Sequence, residues 1–150
     1  MIGMLMTLLF ALTLQHPTQA MGFDQDRTAH HFSIAPTGGS IEVKTKDAGD
    51  EASRTAIRMH LKHITEAFAK GDFSKPLLTH GETPDGVADL QRLKSSIRYK
   101  YEDTLHGGAV RITTSDPAAL KAVHAFLKYQ ITDHHTGDKT SVTKKADAKR

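Results

Sequence analysis

Histidine is the residue type in this sequence with the clearest capacity for chemistry. Ten of the 150 residues are histidine, and none is cysteine. Neutral imidazole is a common ligand of zinc, copper and haem iron, and histidine ordinarily titrates near neutral pH. The lack of cysteine excludes thiolate metal sites, disulfide bonds and a cysteine nucleophile. A histidine-based binding site is therefore the leading hypothesis.

Five histidines are candidate metal ligands because their positions predict that they lie in or beside the core. His30 alternates in phase with the apolar residues of a predicted strand, which points it inward. His60 and His124 lie at the edges of the apolar stripes of two predicted helices, and His134 falls on the second stripe. The fifth, His80, precedes a glycine in the linker between the helices.

The predicted site takes ligands from both helices. His60 and His124 would bind the metal from the two helices, and His30 or His80 would complete the coordination. Gln130 occupies the middle of the apolar face of the second helix, where a buried amide needs hydrogen-bond partners. We expect it to hydrogen-bond to a ligand histidine and orient it.

Nitrogen donors without thiolates suit Cu(II), Zn(II) or Ni(II). A methionine-rich Cu(I) site is disfavoured, because only Met21 and Met59 follow the predicted leader. Haem is a second variant, in which one histidine is the axial ligand and the apolar stripes wall the pocket.

No enzyme signature is present, so no catalytic residue is assigned. The chain has no His-Glu-x-x-His, haem-attachment or EF-hand pattern. The pairs Gly38-Gly39 and Gly107-Gly108 predict hairpin turns, since no helix follows them directly as it would in a phosphate-binding loop. The pair His60-x-x-His63 places two imidazoles on one helical face, but such spacing is not specific.

The charge distribution excludes a nucleic-acid-binding face. Lys139 to Arg150 contains five basic residues and one acidic residue, whereas Met21 to Asp138 contains 15 basic and 16 acidic residues. The net charge of +3 therefore comes from the tail, which we predict to be disordered from residue 139 to residue 150.

Residues 1–20 are predicted to be a signal peptide. Met4 to Leu14 is an apolar run too short to cross a bilayer comfortably, and it leads to small residues at Thr18 and Ala20. Export would place a mature chain in the periplasm, with no stable membrane anchor after cleavage.

The elements that would position these histidines form two similar units. Thr37 to Asp47 and His106 to Asp116 each contain a Gly-Gly pair, alternating apolar residues, a threonine and an aspartate. Strands over residues 30–35 and 97–103 precede them. A helix follows each hairpin, over residues 51–70 and from Pro117, with Asp116 as N-cap.

The predicted fold is an α+β domain over residues 21–138. Two β-β-α repeats form a four-stranded antiparallel sheet with two helices on one face. The stripes facing the sheet are Ile57, Leu61, Ile64 and Phe68 in the first helix, and Leu120, Val123, Leu127 and Ile131 in the second. A short helix is expected over residues 85–93. The opposite sheet face is polar, so it is solvated or forms a homodimer or another polar contact.

Several segments resemble a family of small exported bacterial proteins of unassigned function. They are Met21-Gly-Phe-Asp-Gln25, His30-His31-Phe32, Ile57-Arg-Met-His60-Leu61, Gly71-Asp-Phe73, Ala122-Val-His124-x-Phe126-Leu127 and Gln130-Ile131-x-Asp133-His134-x-Thr136-Gly137-Asp138. The resemblance implies a self-contained fold that begins at Met21. It implies no activity.

Two functions of different classes stay open. The first is a small periplasmic protein that binds a metal ion or metal cofactor through histidine, as carrier, sensor or accessory factor. The alternative is a non-catalytic module for a small polar ligand or a protein partner, with the histidines as hydrogen-bonding or pH-responsive groups.

Overall fold

The computed structural model describes residues 21–143. The predicted signal peptide and residues 144–150 of the predicted disordered tail lie outside the described residues. Within residues 21–143, no helix is both long enough and apolar enough to cross a membrane.

A four-stranded antiparallel sheet forms one layer of the fold, as the alternating segments predict. Its strands are β1 (Thr28–Ala35), β2 (Gly38–Thr45), β3 (Ile97–Thr104) and β4 (Gly107–Thr114). Their order is β1-β2-β4-β3, so the second strand of each hairpin is central. The α+β class and the two β-β-α repeats are confirmed.

The hairpin turns lie two residues before the positions predicted for them. Residues 36–37 and 105–106 make the turns, and each glycine pair begins the next strand. The glycines are needed there for close backbone approach. A Cβ on Gly39 would lie 2.2 Å from the Ser33 carbonyl oxygen, and one on Gly107 would lie 2.0 Å from the Val43 carbonyl oxygen.

Two long helices cover one face of the sheet. They are α1 (Glu51–Ala69) and α4 (Pro117–Asp133). The predicted cap of α4 is confirmed, because Asp116 Oδ1 accepts a hydrogen bond from Ala119 N at 2.8 Å. Helix α1 packs mainly against β3 and β4, and α4 against β1 and β2, so each helix covers the hairpin of the other repeat.

The core lies between this helical layer and the sheet. Phe68 of α1 and Phe126 of α4 meet edge to face with ring centroids 5.8 Å apart. The stripe predicted for α4 is displaced in part, because Leu120 is only half-buried while Ala119, Ala122 and Phe126 are buried. Gly86 allows the linker to approach the backbone of α4, since a Cβ at this position would lie 2.4 Å from the Ala122 carbonyl oxygen.

The linker between the repeats contains two short helices. They are α2 (Ser74–His80), which the sequence did not predict, and α3 (Val87–Arg92), which falls inside the predicted short helix. Pro76 lies within the first turn of α2, where a missing N–H is tolerated. Gly81 ends α2 in the left-handed conformation, with φ of 73°.

The chain after α4 runs along the outer edge of β1. Asp138 Oδ2 accepts a hydrogen bond from Phe32 N at 2.9 Å, and Thr143 N donates to the Ile34 carbonyl at 2.8 Å. Because β1 is an edge strand, its outward backbone N–H and C=O groups have no partner strand. These contacts give two of those groups hydrogen-bond partners. The sheet contact at Thr143 lies inside the segment predicted to be disordered.

Candidate functional site

A cavity of about 50 Å³ lies where α1, α2 and the end of α4 meet β1. Its inner wall is apolar and includes Phe32, Phe68 and Phe126. A cavity of mainly apolar lining with a few polar groups is the usual form of a binding site. We call it the histidine cavity.

Four of the five predicted site histidines line the histidine cavity, and each comes from a different part of the fold. His30 projects from β1, His60 from α1, His80 from the end of α2, and His134 from the residue that caps α4. Gln130, the predicted orienting residue, lines the same cavity.

His124 does not join this group. Its Nε2 atom lies 2.9 Å from the Ala35 carbonyl oxygen and donates a hydrogen bond to it. The structure therefore does not bring His124 together with His60, although the sequence placed both at the edges of apolar stripes. The bond links α4 to the end of β1, which is a structural role.

The imidazole rings in the cavity contact one another. The His30 and His134 rings stack with centroids 5.0 Å apart and planes inclined by 17°. The His80 ring meets His134 nearly at right angles, also with centroids 5.0 Å apart. The edge of Phe23 packs against His60 at 5.5 Å.

His80 is held at both ring nitrogens. Its Nδ1 atom contacts a carboxylate oxygen of Asp133, and its Nε2 atom lies 3.0 Å from Gln130 Oε1. The side chain of His80 is only 2% exposed. The need of buried Gln130 for a polar partner is thus confirmed. Asp133 was not predicted as a site residue; its position three residues after Gln130, on the same helical face, is the signal that could have revealed it.

Burial keeps three of the imidazoles neutral. Desolvation, followed by the charges of His134, His60 and His31, lowers the pKa of His30 to about 3. Desolvation also lowers the pKa of His60 to about 4, with Lys75 and His63 adding to the effect. The pKa of His134 falls to about 4 for the same main reason, and neighbouring His80 lowers it further. Each of these rings therefore carries an unprotonated nitrogen at neutral pH.

Two buried nitrogen atoms in the cavity lack a hydrogen-bond partner among residues 21–143. They are His30 Nε2 and Gln130 Nε2. Gln130 is only 5% exposed, so its amide is sheltered from bulk solvent. Unpaired buried groups of this kind are destabilising unless something else satisfies them. An ordered water or a small molecule in the cavity would accept from the Gln130 amide, and an ion or a donor group would satisfy His30 Nε2.

The cavity is not a finished metal site. In the part of the chain that the structure describes, no three His, Asp or Glu side chains stand close enough together to hold a metal ion. Adjacent rings would have to rotate for their nitrogens to converge. The volume of about 50 Å³ is also far below the roughly 300–1,000 Å³ of clefts that enclose larger ligands, so a haem does not fit this cavity as it stands.

Comparison of the chain with protein-family models, with curated proteins and with solved structures finds no match. The resemblance to exported bacterial proteins therefore stays a prediction. The candidate site rests on the geometry of the described residues.

Proposed function

We propose that the protein binds a single transition-metal ion in the histidine cavity. The observation that carries this proposal is the ring-to-ring contact of His30, His134 and His80 inside one largely apolar cavity. Binding would require the His80 and His134 side chains to turn so that one nitrogen of each ring points to a shared ion, because the described residues are not arranged around one. His60 lines the same cavity and is available as a fourth donor.

The protonation state of the cavity supports this proposal. A metal ion binds the unprotonated nitrogen of imidazole, so a histidine that is already neutral loses no proton when it binds. The pKa values of about 3 for His30 and about 4 for His134 keep both rings neutral at pH 7. An ion would also give the unpaired Nε2 atom of His30 a partner.

The surroundings of His80 resemble the support that metal-binding histidines usually have. A carboxylate on one ring nitrogen fixes the ring and leaves the other nitrogen for the ion. Asp133 supplies this contact at Nδ1, and Gln130 holds Nε2 in the metal-free form. When an ion binds, Nε2 would leave Gln130 Oε1, and the amide would hydrogen-bond to another group.

Nitrogen donors in a small cavity favour Cu(II) or Zn(II) over haem. With the predicted signal peptide, the protein would act in the periplasm as a carrier, sensor or accessory factor for that metal. These roles require only that the metal is bound.

A second candidate function is binding of a small polar molecule. The unpaired Nε2 atom of Gln130 favours it, because an amide N–H donates to an oxygen acceptor and does not ligate a metal ion. Such a molecule would accept from Gln130 and place an apolar part against Phe32 and Phe126.

Metal content and metal affinity test the proposal. The untagged protein, purified from a periplasmic fraction without added metal, is analysed by plasma mass spectrometry and then titrated with Co(II), whose visible spectrum reports nitrogen coordination. We expect one Co(II) per chain and at least a roughly tenfold loss of affinity in His134→Gln. His124→Gln is the matched control and should bind like the wild type.

Equal Co(II) affinity in His30→Gln, His134→Gln and the wild type would overturn the proposed site. A folded protein that neither contains metal nor binds Co(II) would overturn metal binding itself. That second result would favour the small-molecule function, which a screen by ligand-observed NMR would then examine.

A further inference from the structure

A second groove, beside the histidine cavity, brings together sulfur and nitrogen donors. Its chemistry-bearing residues are Met21, Met59, His60, His63 and Lys75. Met21, His60 and Lys75 also line the histidine cavity, so the groove lies at its mouth. The groove has a volume of about 200 Å³. We call it the methionine groove.

Helix α1 contributes one side of the methionine groove. Ala56, Met59, His60 and His63 follow the i, i+3, i+4, i+7 spacing, which places them on one helical face. This face lies beside the buried stripe of α1. One thioether and two imidazoles therefore project along the same wall.

Met21 contributes a second thioether from the segment before β1. Its side chain is half-buried, and its Sδ atom lies 3.9 Å from Thr79 Oγ1 of α2. Residues 21–143 contain only two methionines, Met21 and Met59, and both line this groove. Two methionines are too few to predict a Cu(I) site from the sequence, but the fold brings both thioethers to one groove beside two histidines.

These donors are available for binding. The side chain of Met59 is 68% exposed, although it is a large apolar group. Burial of that side chain would ordinarily be favourable by roughly 1.5–3 kcal/mol. Within residues 21–143, the histidine rings that make hydrogen bonds are those of His31, His80 and His124, so the rings of His60 and His63 are free. Thr79 Oγ1 donates to the Met21 Sδ atom, so the free donors of the groove are the Met59 thioether and these two imidazoles.

We infer that the methionine groove binds Cu(I), with the thioethers of Met21 and Met59 and the imidazoles of His60 and His63 as donors. Thioether sulfur is a soft ligand that selects Cu(I), and imidazole binds copper as well. Zn(II) prefers nitrogen, oxygen and thiolate ligands, so it gains little from thioethers. The groove would thus select Cu(I) over Zn(II), whereas the nitrogen donors of the histidine cavity suit both Cu(II) and Zn(II).

Lys75 also faces the groove and opposes the binding of any cation. Coulomb repulsion scales with the charge of the ion, so a monovalent ion is disfavoured half as much as a divalent one. Lys75 therefore adds to the preference for Cu(I) over Zn(II).

The inference specifies copper as the metal that the protein binds. In that respect the inference rests on the proposed function. The groove itself does not require the inner site. His60 lines both the groove and the histidine cavity, so the two proposed sites adjoin at this residue.

The test uses the full chain and Ag(I), a redox-inert substitute for Cu(I), followed by Cu(I) held reduced by ascorbate and competed with a chromophoric chelator. Met59→Leu removes the sulfur and keeps an apolar side chain of similar size at an exposed position. His63→Gln removes an exposed imidazole. We expect each variant to lose at least about tenfold in affinity for both ions.

His135→Gln is the matched control, because His135 is an exposed histidine outside the groove. It should bind Ag(I) like the wild type. NMR of methionine methyl groups adds a direct readout, in which Ag(I) should shift the Met21 and Met59 signals together. Shifts of the Met1, Met4 or Met6 signals would instead indicate Ag(I) binding outside the groove.

Unchanged Ag(I) affinity in both Met59→Leu and His63→Gln, or shifts confined to Met1, Met4 and Met6, would overturn the inference. Co(II) titration of the same samples tests the histidine cavity separately. Loss of Ag(I) binding with normal Co(II) binding in Met59→Leu would support two distinct sites. Ag(I) binding at the groove in a protein that does not bind Co(II) would contradict the proposed function and leave the groove site intact.

Discussion

His30 and His134 stack with their ring centroids 5.0 Å apart, although one lies in the first strand and the other follows the last helix. Both rings are shielded from water, and each would be repelled by a charge on its neighbours. Two stacked imidazolium ions in this position would be strongly disfavoured. The pair therefore stays neutral at pH values at which an exposed histidine would begin to take up a proton.

The free energy of unfolding should fall when the solution is acidified below pH 6.5. Burial lowers the pKa of His30 to about 3, and those of His60 and His134 to about 4, whereas each returns to about 6.5 in the unfolded chain. Between pH 6.5 and pH 4 the unfolded chain thus binds protons that the folded chain does not. Each histidine then removes roughly 1 kcal/mol per pH unit, and the effect fades over about one pH unit above 6.5 as the unfolded chain also loses these protons.

Urea denaturation at a series of pH values measures this dependence. His134→Phe keeps a ring of similar shape and removes one titrating group, so its stability should fall less steeply with acidification. His135→Gln serves as control and should follow the wild type. A wild-type stability that is constant from about pH 7 to about pH 5 would contradict the prediction.

Gln130→Leu should strengthen metal binding without unfolding the protein. Leucine removes the unpaired Nε2 atom and fills a buried position with an apolar side chain of similar size, so stability should change by less than about 1.5 kcal/mol. Gln130 Oε1 would no longer compete with the ion for His80 Nε2, and the Asp133 contact at Nδ1 would still orient the ring. We expect Co(II) affinity to rise, measured by optical titration alongside thermal unfolding; a fall would show that Gln130 supports the bound metal instead.

His124→Leu should lower the stability of the protein and leave metal binding unchanged. The substitution removes the hydrogen bond from Nε2 to the Ala35 carbonyl, which lies outside the histidine cavity. The free energy of unfolding should fall by about 1 kcal/mol, and metal affinity should stay as in the wild type. A loss of metal affinity at unchanged stability would contradict this prediction and indicate that His124 is a metal ligand.

Gly107→Ala should be far more damaging than Gly81→Ala. A Cβ on Gly107 would lie 2.0 Å from the Val43 carbonyl oxygen, so two strands would have to separate. We expect a loss of more than about 3 kcal/mol and a low yield of folded protein. Gly81 has φ of 73° but nothing within 4 Å of an added Cβ, so its substitution should cost only about 1 kcal/mol. Comparable thermal shifts in the two variants would refute the close-approach argument.

The regular elements and their class could be predicted from local patterns of residues. Alternation fixed the strands, and the 3.6-residue period with Asp116 and Pro117 fixed the last helix, because these signals depend on neighbours a few residues apart. The same local reasoning placed His30 inward, His60 at the core edge and Gln130 in the apolar face. It missed α2, which is too short to show a period.

Which of these side chains meet depends on how the helices and strands pack together, and local patterns did not predict it. Both His60 and His124 flank an apolar stripe, yet one reaches the histidine cavity and the other bonds to the end of β1. The meeting of Asp133 with His80, and of Met21 with Met59, likewise joins distant segments. A residue's phase on its own helix determines whether it faces inward, but its neighbours depend on how helices and strands pack. That packing is set by side-chain volumes and close contacts across the whole core, which no local pattern of residues encodes.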